Sequence, residues 1–538
     1  MAAQPKYSAW RLLYFILPSA ITGFAYGWEV GSMGGILAMP QFLSYFDTPS
    51  SFLQGLMTAA LIAGEFFGSL VVGFTIADRF GRRATIIGSA IVYLIGQVLV
   101  VAAQNRGMFI AGRAVNGLGA GPLFQTVSYY TAEITPAHIR GRVTSTLNSG
   151  IAVGLLISYW IQYGALHIQG SGSWRMCFAL QLVPGVAIAL LLCKRPESPR
   201  WLVQHDKHED ALIVLANLHA DGDVSNVVVR SEFEEIRVVV GLEKSTAAPS
   251  YITLLFGRDY RRRTALAMGL QCMQQASGAN IVLYYAAKVF AQTGRNGPSA
   301  ALLANGISSA LLLLGTVLLT LLLDTYGRRR PIFLGPLCMG TCLVVVGSML
   351  VSFGSPHFDE VTQAVQFSFK NVQAGNAAIA FMFLFQFFFG HLSSSIPWTY
   401  QSEVYPVLAR ARGTALAVAA NYFTNFWLGL YIPQGLNTAS WRIYFIFAAI
   451  NFGCAVLGYL FFPETANRTL EELDLLFLHD RRILVCRDPD ACRKGGMLET
   501  RLDEDPEMVA LELSKRLGKE HELFNGKQLQ SVEYVDKV

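Results

Sequence analysis

A carboxylate stands in the middle of the first long apolar stretch: Glu29, in GFAYGWEVGSMGGIL. An acid placed in hydrocarbon costs several kcal/mol unless it meets a partner or water, so its presence there marks a functional candidate. Arg113, in FIAGRAVNGLGAG of the fourth apolar stretch, is the expected partner. A carboxylate held between loss of hydration and a guanidinium can take up and release a proton as its surroundings change shape. The plainer alternative is an ion pair that only ties two helices together. Glu65, between Gly64 and Gly68 in LIAGEFFGSL, is a second acid of this kind. It fits either a polar helix contact or a second proton or substrate site.

A different chemistry is offered by QCMQQASGANIVLYYAAKVF, where Gln274, Gln275, Asn280, Tyr284 and Tyr285 flank an interruption at Ser277-Gly278. Neutral amides both donate and accept, and they bury no net charge, which suits a ligand rich in hydroxyls; packing between helices is the competing use. In SSSIPWTYQSE, Pro397 breaks a helix beside Trp398, whose flat face can stack on a sugar ring or anchor the chain at a membrane interface. Asn421, Tyr422 and Asn425 can reach the same cavity. No nucleophile with its base, metal-ligand cluster or phosphate loop is evident, so an enzyme is not expected, nor any cofactor or metal; protons are the expected coupling ion. The eight cysteines fall in or near apolar stretches or in the C-terminal tail, which argues against a disulfide framework.

These residues need a bilayer around them. Of 538 residues 53% are hydrophobic and 15% charged, and the mean hydropathy is +0.39, whereas a soluble chain carries about 25% charged residues. Segments of spanning length lie near 12–37, 54–76, 85–104, 107–131, 145–166, 175–193, 264–290, 301–323, 331–353, 376–400, 412–434 and 441–462. Twelve helices in two sets of six follow, giving an all-α membrane protein. Its expected organisation is a cytosolic N-terminus (1–11), a first bundle (12–193), a cytosolic linker with amphipathic helices (194–263), a second bundle (264–462) and a cytosolic tail (463–538). One set of loops holds nearly all the loop arginines, which places both termini in the cytosol and explains the net charge of +5 without a nucleic-acid partner. The layout before Trp10 is not that of a cleaved signal peptide.

The halves repeat each other. DRFGRR at Asp78 returns as DTYGRRR at Asp324, EITPAHIRGR at Glu133 as EVYPVLARARG at Glu403, and PESPR at Pro196 as PETANR at Pro463. Asp78, Arg82, Glu133 and Arg140 in one half, with Asp324, Arg328, Glu403 and Arg410 in the other, form the expected charged gate. One exposed pair is worth about 0–1 kcal/mol, but several together can bias two nearly balanced states. Smaller expectations concern the connections. A linker helix is predicted over 206–218, a capping box at Ser231 and Glu234, solvated histidines at 205, 208 and 219, a polar loop over 353–375 and a short tail helix over 505–518.

In combination, DRFGRR, the Gly-Arg of the fourth stretch, EITPAHIRGR, PESPRWL, QQASGAN with Tyr-Tyr, DTYGRRR, PWTYQSEVYP and PETANRTLEELD resemble the sugar porter family of the major facilitator superfamily, particularly fungal-type members, from about Trp10 to Asp474. The resemblance implies two six-helix bundles around a central cavity, alternating access, and a sugar, polyol or cyclic-acid substrate. Glu29 falls where proton-coupled members carry Asp, with Arg113 as its partner, which implies symport in the plasma membrane. Gln274, Gln275, Asn280, Trp398 and Asn421 fall on sugar-contacting positions. Among the departures from the family pattern, Asn148 replaces a fifth-span Gln, Leu312 stands at an often polar position, and Tyr422 replaces a Trp; all three are expected at the cavity. The alternatives of the same kind are a carrier for quinate or a secondary metabolite and a sugar-sensing transceptor.

Overall fold

The computed structural model describes residues 9–494, apart from 38, 72–75, 246–248, 282–297, 360–363, 370, 467, 469–472, 474, 475, 478–482 and 493. The first half comprises α1 (Ala9–Ile36), α2 (Ser51–Val71), α3 (Arg82–Val101), α4 (Arg106–Ile134), α5 (Ala137–Ala165) and a broken sixth span made of α6 (Gly172–Ala179) and α7 (Leu182–Cys193). The linker carries α8 (Pro199–Gln204), α9 (His208–His219), α10 (Val227–Ser245) and α11 (Tyr251–Phe256). The second half holds α12 (Arg261–Ala276), α13 (Pro298–Tyr326), α14 (Arg329–Phe353), α15 (Val372–Leu392), α16 (Ile396–Val404), α17 (Val407–Ala439) and α18 (Arg442–Phe461). Helices therefore fall on all twelve predicted spans as far as these are described, the seventh only to residue 281.

Among the described residues, seven helical stretches are long and apolar enough to cross a membrane by themselves. The other five predicted spans coincide with α1, α4, α5, α12 and α17. Those are the helices interrupted by Glu29, by Arg113 and Asn116, by Gln162, by Gln271 and Gln274, and by Asn421 and Asn425, all of them buried. In α1, α4, α5 and α17 the shortfall in hydropathy thus locates the polar interior, whereas the described part of α12, Arg261–Ala276, is short of spanning length. Neither argues against a span.

Helix pairs inside the first half meet backbone to backbone through small residues. Gly64 and Gly68 of α2 face the carbonyls of Ala114 and Leu118 on α4, while Gly117 and Gly121 of α4 face those of Leu61 and Glu65. Gly23 and Gly27 of α1 and Gly150 and Gly154 of α5 make the same reciprocal contact. In lipid, where apolar burial drives little association, such close approach supplies the packing contacts that hold helices together. The halves meet along two seams. In one, Gly55 of α2 abuts Leu430 of α17, and Ser51 hydrogen-bonds Asn437; in the other, Leu155 and Tyr159 of α5 pack on Leu312 of α13.

Three local expectations are corrected. The stretch after α14 forms an antiparallel ribbon, β1 (Gly354–Asp359) with β2 (Ala364–Phe369), in register Gly354 to Phe369. Alternation in AVQFSF accounts for it. The capping box is absent: α10 begins earlier, with the Asn226 side chain accepting from Val228 N at 2.9 Å, so Ser231 lies inside the helix and donates to Val228 O. Val229, Phe233 and Val240 form one buried stripe, which extends the helix past the predicted start. His219 is not solvated. It is buried at the end of α9, with Nδ1 2.7 Å from Glu232 and Nε2 3.1 Å from the carbonyl of Ile134, the last residue of α4. Both ring nitrogens face acceptors, so this histidine pins the linker to the first bundle. His205 and His208 do lie at the surface, the former stacked on Trp201 at 4.1 Å. At the far end of the linker pair, the hydrogen bond and charge of Lys244 hold the Asp206 carboxyl below the usual carboxylate range. The predicted tail helix lies outside the described residues.

Candidate functional site

Glu29 and Arg113 meet. They are 1% and 2% exposed, and Arg113 Nη1 donates to Glu29 Oε1. The pair is only partly satisfied: Glu29 Oε2 and Arg113 Nε, both buried, have no hydrogen bond. The guanidinium lies 5.9 Å from the Phe178 ring centre. Behind it, Asn116 donates to Gln97 at 2.8 Å, and Gln97 to Gln181 and the Phe178 carbonyl, also at 2.8 Å. This amide chain fixes α3 and α4 around the pair. Glu65 is equally buried, lies within electrostatic reach of both Glu29 and Arg113, and leaves its own Oε1 without a hydrogen bond. Glu29 Oε2 and Glu65 Oε1 are thus two buried acceptors without a hydrogen bond near the one guanidinium.

In the second half the neutral amides form one network centred on Asn421 of α17. Asn421 accepts from Gln275 at 2.7 Å and donates to Gln271 at 2.7 Å and to Gln274 at 3.4 Å; Gln271 continues to Gln401 at 2.9 Å. Asn280 donates to Gln275 at 2.6 Å and to Asn425 at 2.9 Å. The interruption after α12 is real: Gly278 has φ +91°, the left-handed region that glycine occupies without strain. The Ser277 carbonyl freed there accepts from Asn451 at 2.7 Å. Gln274 is placed differently from its neighbours, because its NH2 group donates to the carbonyls of Ser393 and Ser394 at the break between α15 and α16.

Trp398 is half-buried, and its ring meets Phe124 of α4 edge-on at 5.8 Å; Phe124 in turn lies 4.6 Å from Tyr26 of α1. An aromatic row thus runs from one bundle to the other. Asn148 is half-buried on α5, Tyr422 is fully buried in the largest apolar cluster, and Leu312 sits in the seam between the halves. Tyr284 and Tyr285 lie outside the described residues.

The gate motifs build two matching stations. In the first, Arg82 reaches Asp78 at 3.0 Å and Glu133 at 3.2 Å, Glu197 accepts from the backbone N–H of Arg82 and Arg83 at 2.9 and 3.1 Å, and Ser198 donates to Glu133 at 2.5 Å. In the second, Arg328 reaches Glu403 at 2.9 Å, Glu464 accepts from the N–H of Arg328 and Arg329 at 2.7 and 3.2 Å, and Thr465 donates to Glu403 at 2.6 Å. Each pair of N–H groups opens a helix, where four donors lack internal partners and the dipole favours an anion. Arg410 instead donates to the carbonyl of Tyr405. The side chains of Arg140 and Asp324 lie outside the described residues.

Sequence reasoning overlooks Gln271, Gln401 and Asn451 in the network, Tyr26 and Phe124 in the aromatic row, and Glu197 and Glu464 in the stations. The spacing of Gln271, Gln274 and Gln275, three and four residues apart, is a signal that identifies the first; the repeated Pro-Glu identifies the last two.

The profile of the family described as "Sugar (and other) transporter" matches residues 15–477. The chain is 35% identical over 478 residues to the MFS glucose transporter mfs1 of Aspergillus flavus, covering 86% of this chain and 89% of that one. It is 32% identical over 464 residues to a high-affinity glucose transporter of Kluyveromyces lactis, with 86% and 84% covered. It is 30% identical over 526 residues to a quinate permease of Neurospora terricola, with 94% and 96% covered. Among solved structures, the proton:xylose symporter XylE bound to 6-bromo-6-deoxy-D-glucose superposes with a TM-score of 0.71 at 25% identity, covering 88% of this chain and all of that one. The partially occluded inward-open form of the same Escherichia coli transporter gives 0.70 at 23%, covering 86% and 100%.

Proposed function

Because the chain belongs to the sugar transporter family, a family of major facilitator membrane proteins, we propose that it carries a sugar or sugar-like polyol across the plasma membrane by alternating access, together with a proton, and that both termini are cytosolic. The observation that carries this reading is the division of labour between the halves. Deep in the first bundle sits a buried, incompletely satisfied Glu29–Arg113 pair; the second bundle holds a connected set of neutral amides around Asn421. The first can exchange a proton at Glu29 Oε2, while the second offers donors and acceptors to hydroxyl groups without burying a charge. Gln275, Asn280 and Asn421 bind the substrate, Trp398 covers its apolar face, and Gln274 positions the broken helix beside them. The matching stations of Arg82 and Arg328 close the cytosolic face in one state and part in the other.

The likeness to a quinate permease makes a cyclic hydroxy acid the second candidate. Against it, the described residues of the amide network are neutral, and Arg113 is already engaged by Glu29. Uptake of a labelled panel of hexoses, pentoses, polyols and quinate into transporter-deficient cells, with and without a protonophore, tests the reading. Protonophore-sensitive accumulation of a neutral member is expected; accumulation of quinate alone overturns the substrate class.

A further inference from the structure

A cavity of ≈ 690 Å³ opens at the end of the first bundle where α1 begins, α7 ends and linker helix α9 passes. Arg11, Arg83, Lys194 and Arg195 line it. Three of the four have identifiable tasks or freedom. Arg83 donates to the carbonyls of Leu192 and Cys193 at the end of α7, Arg11 to Asp221 at 2.5 and 3.1 Å, and Lys194 is exposed. Arg195 differs: it is 3% exposed, its Nε and Nη1 are buried without a hydrogen bond, and its guanidinium sits 3.8 Å from the Tyr14 ring centre. A buried charged donor left unsatisfied costs more than a neutral one, so the site gains from any anion that supplies acceptors. Of the nearby acids, Asp221 is turned outward, with an 87% exposed side chain, and Glu197 is occupied by the N–H groups of Arg82, Arg83 and Ser198.

We propose that this cavity binds a phosphate-bearing anion presented by the headgroup of an acidic lipid, and that its occupation fastens the start of α1 to linker helix α9. The volume falls within the range of small-ligand sites, and Asn217 of α9 lines it opposite the arginines. A lipid source is favoured over free phosphate because Trp10, 83% exposed, and Tyr14 line the cavity at the start of the helix that forms the first predicted span. Basic clusters beside a span, with interfacial aromatics, recognise anionic headgroups. Assignment to the cytosolic leaflet rests on the orientation proposed above; the anion site itself does not.

The test uses the full chain purified in neutral detergent. Its melting temperature is titrated with dioctanoyl phosphatidylinositol 4-phosphate, dioctanoyl phosphatidylcholine or inorganic phosphate. Stabilisation by the acidic lipid alone is expected. Lys194→Gln and Arg195→Gln should each weaken the half-point by about tenfold, one charge-assisted contact of roughly 1.4 kcal/mol. Asp221→Asn, which removes the acid that Arg11 engages at the cavity, should tighten it by about two- to fivefold, a gain that misfolding cannot mimic. Equal responses of all variants, or an equal shift with phosphatidylcholine, overturn the site. A response to inorganic phosphate as large as that to the lipid overturns lipid delivery. Since the measurement involves no transport, it can fail while proton coupling stands, and the converse.

Discussion

Replacing Glu29 by Gln separates energy coupling from folding. Glu29 is the carboxylate that receives Arg113, and the guanidinium otherwise rests on the Phe178 ring. Gln fills nearly the same volume but neither balances the cation nor takes up a proton. Removing one member of a buried pair costs about 3–5 kcal/mol, because the other charge is left uncompensated. The double substitution Glu29→Gln with Arg113→Gln should recover most of that loss, which melting of the two purified variants measures. Transport should not recover. A potential of about 150 mV with one pH unit supplies roughly 5 kcal/mol per proton, or three to four decades of accumulation. Both variants should therefore lose uphill uptake in energised proteoliposomes, while the stable double variant keeps equilibrium exchange. Full accumulation by either variant in energised proteoliposomes, abolished by a protonophore as in the parent chain, refutes the proton role of Glu29.

Further outcomes follow from the same geometry. Asn421→Ala strands the Gln275 donor and the Gln271 acceptor and should raise the half-saturation constant by about tenfold, one to one and a half kcal/mol, in uptake assays. Gly117→Ala sets a Cβ 2.0 Å from the Leu61 carbonyl, so α2 and α4 must part; a loss of about 1–3 kcal/mol should appear in detergent melts. Glu197→Gln or Glu464→Gln weakens the hold on two helix-opening N–H groups and should slow uptake more than Asp78→Asn, whose carboxylate is largely exposed. His219→Ala leaves Glu232 and the Ile134 carbonyl unpartnered, and faster hydrogen exchange across α9 should report a loosened linker.

The bundle architecture is legible in the chain because apolar length is a one-dimensional signal, and the pairing of Glu29 with Arg113 because ionised groups are scarce inside spans. The repeat is legible as motif spacing, but its mechanics are not. That Glu197 and Glu464 hold backbone N–H groups depends on how the segment after each bundle folds back onto a helix start more than a hundred residues earlier. His219 reads as surface because it stands at the end of a helix just before Asp221 and Asp223; it is buried because the stripe of Leu215 and Leu218 turns α9 onto the end of α4. Phe124 and Tyr26 are indistinguishable from packing residues until the second bundle brings Trp398 against them.

The two carbonyls at the break before α16 restrict which side chains position 274 tolerates. Asn is one methylene too short to reach them, Glu has no proton to give when ionised, and Leu abandons both oxygens at a depth where water cannot take over. Efforts to retune selectivity therefore have a fixed point. On the substrate role proposed for Gln275 and Asn280, diversity belongs at those two positions, while Gln274 is kept as the bracket that lets them vary.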